Sequence, residues 1–236
     1  MRYLDDSKLE QIRDAIYNMS TNGLRIWSIL DLFQCQTDAQ EENMINEQIK
    51  TNFSSSNSIN SSLVQSLTAN SQLQPAFPEV AMRERQNRKT FIYLSQSLQK
   101  VFSSINVYQI LQPQMFYEIS YSAALQAIDA TLMTSLKNYS EIQRYLMLAI
   151  SDACPLDQSR VYTVDLCQAP FNFIEGEDGV WSQNFLFYNI VKHRILIFIL
   201  RAIPEIDQDQ NDDGMFAEED YDCDYDYPKE LNENEY

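Results

Sequence analysis

Residues 176–201, GEDGVWSQNFLFYNIVKHRILIFILR, restrict the fold of this chain more than any other segment. Two dense apolar and aromatic runs, Trp181 to Tyr188 and Arg194 to Leu200, are joined by a short polar, basic connection, Asn189 to His193. Strand-length apolar runs bounded by turn residues read as a hairpin, and Glu177-Asp178-Gly179 predicts a turn just before the first run. From Ile195 to Leu200 every position is apolar. A strand half-exposed to water would alternate, so this one is expected to be covered on both faces. The connection is too short for a helical crossover, which makes the two strands antiparallel.

The rest of the chain contains the elements that could do the covering. Ser7-x-x-Glu10 reads as a capping box; Leu9, Ile12, Ile16 and Met19 follow on one helical face, and Asn22-Gly23 stops that helix. Leu24 to Cys35 alternates as a strand, with Trp27, Ile29 and Phe33 on one face and Ile26, Leu30 and Leu32 on the other. Phe91, Leu94, Leu98, Val101 and Phe102 form a helical stripe, and Ala124, Ile128, Leu132 and Leu136 form the next. Ser140-x-x-Gln143 reads as a capped helix start, and that helix ends by Cys154-Pro155. Tyr162, Val164 and Leu166 mark a short strand within Arg160 to Leu166. This order predicts an α+β domain in which a mostly antiparallel sheet of about four to five strands is flanked by helices.

Two segments are unsuited to a core. Thr51 to Gln74 holds eight Ser, four Asn and three Gln and no charged residue. Such low-complexity composition reads as a disordered linker, here residues 37–86 inserted between two parts of one core domain, 1–36 and 87–204, so that its flanks must meet in the fold. Residues 205–236 carry −13 of the chain's net −17, leaving only −4 for everything before them. With almost no aliphatic side chains, that end reads as a disordered acidic tail.

Several functions are argued against by what the chain contains. The four cysteines, Cys35, Cys154, Cys167 and Cys223, include no C-x-x-C pair, and His193 is the single histidine, so no familiar zinc pattern can be assembled. Phosphate-binding glycine motifs are absent, and no cofactor is expected. The start, MRYLDDSKLEQ, does not read as a signal peptide and no apolar run reaches membrane-spanning length, so an intracellular chain with free thiols and no membrane contact is expected. Net negative charge argues against direct nucleic-acid binding. His193 has no identifiable orienting partner, so an enzyme is not expected. Asp209-x-Asn211-x-Asp213-Gly214, with Asp220 at the twelfth position, matches the ligand spacing of a calcium-binding loop, and a calcium-responsive adaptor is the alternative reading. Asp replaces the usual Glu at that twelfth position, and Pro204 stands where the entering helix should run.

One block carries a family resemblance. Gly176-Glu-Asp-Gly179-x-Trp181-Ser182-x-Asn184-Phe185-x-Phe187-Tyr188-Asn189, followed by Lys192-x-Arg194 and an apolar strand, resembles the hallmark of the Maf-one family, the global repressors of RNA polymerase III. Arg88-Lys89-Thr90-Phe91-x-Tyr93-Leu94 resembles the family's first helix after its variable linker, and Ser159 to Leu166 resembles the strand before the hallmark. This sequence departs from the family at Ser104-Ile105-Asn106-Val107-Tyr108, where an acidic motif usually stands, and at Ile190-Val191, where Lys or Arg is usual. The resemblance implies a monomeric regulator of nucleus and cytoplasm. It would bind the polymerase, block engagement of initiation factors, and be controlled by nutrient-signalling kinases. Partner contacts are then expected at Asn189, Lys192, His193 and Arg194. Trp181, Asn184, Phe185, Phe187 and Tyr188 are expected to be scaffold. Phosphorylation is expected among Ser54, Ser55, Ser56, Ser58, Ser61 and Ser62.

Overall fold

The C-terminal hairpin forms the centre of a six-stranded antiparallel sheet. In the computed structural model, residues 1–17, 23–36, 39–52, 74–164, 166, 173–174, 177–178 and 180–204 are described. The sheet strands are β1 (Arg2–Leu4), β2 (Leu24–Gln34), β3 (Phe116–Ile119), β4 (Ser159–Val164), β5 (Trp181–Asn189) and β6 (Arg194–Pro204), in the order β1-β2-β6-β5-β4-β3. The helices are α1 (Ser7–Tyr17), α2 (Ala39–Asn52), α3 (Arg85–Val101), the single turn α4 (Val107–Ile110), α5 (Tyr121–Ser135) and α6 (Tyr139–Ala153). The fold is α+β, as the pattern predicts, with more strands than the expected four to five. The strands not foreseen are β1 and β3, both short and both at sheet edges.

Each face of the sheet packs against its own helices. On one face Ile26, Leu30 and Leu32 of β2, Phe185 and Phe187 of β5, and Leu196, Phe198 and Leu200 of β6 meet α1, α5 and α6. On the other, Ile29 and Phe33, Leu186 and Tyr188, and Ile195, Ile197 and Ile199 meet α2, α3 and α4. The cross-strand pairs Phe185–Phe198 and Phe187–Leu196 serve the first layer, and Leu186–Ile197 and Tyr188–Ile195 the second. The two-residue period of a strand sends alternate side chains to opposite faces, and covering both faces demands apolar residues at every position. The whole of β6 from Ile195 to Leu200 is accordingly buried.

Other expectations need correction. The α1 cap is Asp6, whose carboxylate accepts the backbone N–H groups of Lys8 and Leu9, and Ser7 is the first helical residue. Asn138, at φ +60°, precedes α6, and Ser140 lies inside that helix. Glu177–Asp178 is a strand pairing with Phe173–Ile174 in a separate two-stranded ladder, and is no turn. Within residues 37–86, α2 places Ile45 in the core. Phe77 is also buried there, stacked on Tyr162 at 5.4 Å and edge-on to Phe91 at 5.9 Å. A lone aromatic in Pro75-Ala76-Phe77-Pro78 has no periodic neighbours to announce it.

Candidate functional site

β5 and β6 pair down to Asn189 and Arg194, leaving residues 190–193 as the turn. Asn189 closes the turn from within: its Oδ1 accepts the Lys192 N–H at 2.8 Å. Gln34, the last residue of β2, clamps it from the side. Its Nε2 donates to the carbonyl oxygens of Lys192 and His193, each at 3.0 Å, and its Oε1 accepts from Arg194 Nε at 3.3 Å. The Cys35 N–H donates to the His193 carbonyl at 2.8 Å, and the Ile190 N–H to the Gln158 carbonyl at 2.9 Å. These bonds hold His193 at φ +49°, a region that costs an L-residue about 1–2 kcal/mol.

The four expected contact residues separate. Lys192 and His193 face water, Arg194 is half-buried against Gln34, and Asn189 is wholly buried. Asn189 therefore shapes the turn and offers no contact surface, which corrects its expected role. Val191 is the most exposed apolar residue of the turn at 68 %, with Ile190 at 38 %. These two were not expected as contacts. Their signal was an apolar pair inside a tight polar connection.

Other charges gather around the turn. The Met1 ammonium donates to the Gln36 carbonyl, one residue beyond Cys35. The Lys89 ammonium lies over the Tyr93 ring, 5.5 Å from its centroid, and Tyr93 packs on Tyr188 at 6.2 Å. The Tyr188 hydroxyl is 3.4 Å from His193 Nδ1. Arg88, one residue before Lys89, holds the start of α3 by donating to the carbonyls of Met82 and Arg83 at 2.9 and 2.7 Å. Arg83 and Arg85 are exposed.

The remaining hallmark residues lie in the scaffold. Asn184 donates to the Val164 carbonyl at 3.0 Å and accepts from Ser182 Oγ at 2.9 Å, tying β4 to β5 beyond their last backbone pair. Phe185, Phe187 and Tyr188 are buried, whereas Trp181 is half-buried against the first layer. Asn106 and Tyr108 flank Val107, which is buried; Gln99 pins this region by donating to the Ile105 carbonyl and accepting the Val107 N–H, both at 2.8 Å.

Neither described thiol is poised as a nucleophile. Burial pushes Cys35 up to about 12, partly opposed by the amino terminus. Burial pushes Cys154 up to about 11, and its thiol donates to the Phe187 carbonyl at 3.3 Å. Thiolate, the reactive form, is scarce at such values near neutral pH. A groove of about 430 Å³ lies between α1 and α6, lined by Ile12, Ala15, Ile142, Tyr145 and Leu148, away from His193. Among the described residues no cluster of His, Cys, Asp or Glu could hold a metal, and no helix is long and apolar enough to cross a membrane. The six candidate serines, Cys167, and the Asp209 to Asp220 loop lie outside the described residues.

Comparison with known proteins agrees with this geometry. Two crystal forms of citrus MAF1 share the fold, each with a TM-score of 0.59, at 17 % and 18 % sequence identity. They cover 83 % and 85 % of this chain and 99 % of their own length. Residues 26–199, spanning most of the sheet and the whole hairpin turn, match the family described as Maf1 regulator. On that match the chain belongs to the Maf1 regulator family.

Proposed function

We propose that this protein is a negative regulator of RNA polymerase III transcription that acts by binding the polymerase and keeping initiation factors from engaging. Membership of the Maf1 regulator family over residues 26–199 carries this reading. The arrangement of side chains suits it: the described thiols are buried, and the hairpin turn is a rigid, solvent-facing projection. Such a protein works by occupying a surface, with no bond made or broken. It works as a monomer, without cofactor, membrane or direct nucleic-acid contact, and divides between nucleus and cytoplasm. Phosphorylation of the serine-rich segment by nutrient-signalling kinases relieves repression, since each phosphate adds nearly two negative charges.

Affinity purification from starved cells tests the reading. Polymerase III subunits should co-purify with the wild-type chain, and tRNA synthesis should rise on its depletion. Absence of both sinks it.

A further inference from the structure

The turn end of the sheet collects positive charge from three separated parts of the sequence. Lys192 and Arg194 come from the hairpin, the ammonium from Met1, and Lys89 from the start of α3. The links between them are short: amino terminus to Gln36, Cys35 to His193, His193 to Tyr188, Tyr188 to Tyr93, and Tyr93 to Lys89. The buried Cys35 thiol sits among them, and the amino terminus and Lys89 both favour its charged form. Glu84 accepts from Asn87 at 3.1 Å, and Asp157 adjoins Gln158 beside the turn. Glu118 is taken up by Arg160 in a two-pronged ion pair. The chain before residue 205 is net −4, so this basic end does not reflect a generally basic surface.

We propose that this sheet end binds an acidic peptide segment of a partner protein, a run of aspartates and glutamates carrying an aliphatic side chain that packs on Ile190 and Val191. The proposal rests on reading the turn as partner-facing. The cations select carboxylates, as arginine and lysine clusters do for acidic motifs. The exposed aliphatic pair between them argues for protein over nucleic acid, because bases stack on aromatic or guanidinium planes and not on a branched aliphatic tip. Exposed ion pairs are individually weak and screened by salt, so affinity comes from several acting together with the apolar contact. Asn189 and Gln34 already fix the turn, which lowers the ordering cost of binding.

The test is fluorescence anisotropy with the full chain and a short labelled peptide of aspartates and glutamates around one leucine. Binding should saturate and should weaken about tenfold or more from low to high salt. Lys192→Glu combined with Lys89→Glu should weaken it at least about tenfold at low salt, and Val191→Ser by a smaller factor. Lys137→Glu, just before α6 and so at the far end of that helix from Cys154, should leave it unchanged. Circular dichroism identifies any variant that fails to fold. Equal binding by the charge-reversed variant overturns the proposal, as does tighter binding of duplex or single-stranded DNA than of the peptide. Polymerase absent from starved-cell pull-downs and tRNA synthesis unchanged on depletion, with residue-dependent peptide binding intact, would refute the function proposed above and leave this site standing. Equal capture of polymerase by wild type and the charge-reversed variant would refute this site alone.

Discussion

Along β5 and β6, side chains from Phe185 to Tyr188 and from Ile195 to Leu200 are buried, half in each of two core layers. Across residues 190–193, between those strands, the side chains face water and the bonds are to the backbone, apart from the Tyr188 hydroxyl 3.4 Å from His193 Nδ1. The strands are stabilised by apolar area removed from water on both faces, a term that any truncation reduces. The turn is stabilised by hydrogen bonds to groups outside it, Asn189, Gln34, Cys35 and Gln158, so its own side chains are left available. A strand substitution should therefore register as unfolding. A tip substitution should register as altered binding.

The largest expected effect is in the strands. Phe187→Ala or Phe198→Ala, each at a wholly buried position, should cost about 3–5 kcal/mol in urea denaturation. Trp181→Ala should cost less, since Trp181 keeps part of its surface in water. A loss under about 1 kcal/mol at either phenylalanine would break the comparison.

Next comes an alkaline effect, because the core holds weak acids in their neutral form. Burial raises Cys35 and Cys154 from 9.0 to about 12 and about 11, and Tyr121 from 10.0 to about 12. It raises Tyr139, Tyr162 and Tyr188 as well. The unfolded chain releases these protons first. Stability is thus fully present below pH 9 and falls as pH rises towards 12, by up to about 1.4 kcal/mol per pH unit for each thiol or phenol in its window. Denaturation midpoints measured across that range should decline, and Cys35→Ala with Cys154→Ala should flatten the early part. A flat profile in the wild type would contradict the burial.

Gln34→Ala removes the three side-chain bonds of the clamp and should cost about 1–2 kcal/mol, while the strands stay paired by amide exchange. Protection lost throughout β6 would mean that turn and strands are one cooperative unit. The smallest effect is at the tip. Lys192→Ala should change stability by no more than about 0.5 kcal/mol. It should nevertheless weaken partner capture, and a larger loss of stability would place Lys192 with the scaffold.

The hairpin and both faces of β2 could be read from residue patterns because each has a continuous apolar period. Trp27, Ile29 and Phe33 indeed share one core layer, and Ile26, Leu30 and Leu32 the other. The short strands β1 and β3 could not be, since Arg2–Leu4 and Phe116–Ile119 are too brief to establish alternation. Phe77 escaped notice for the same reason, although it stacks on Tyr162 at the heart of one layer. At the site, the basic turn was visible, but Asn189 looked like its exposed neighbours.

The amino-acid sequence by itself determined that β6 would be buried on both faces, that its partner strand would run antiparallel, and that helices would cover the sheet. These follow from local periodicity and from the reach of a short connection. Only the tertiary structure decided that Asn189 turns inward while Lys192 turns outward, and that Gln34, 158 positions from Lys192, clamps the loop. It alone brought Lys89 and the amino terminus to the same end of the sheet. Periodicity reports which face of an element avoids water. Which polar side chains meet depends on contacts between distant parts of the chain, and those exist only once the sheet has closed.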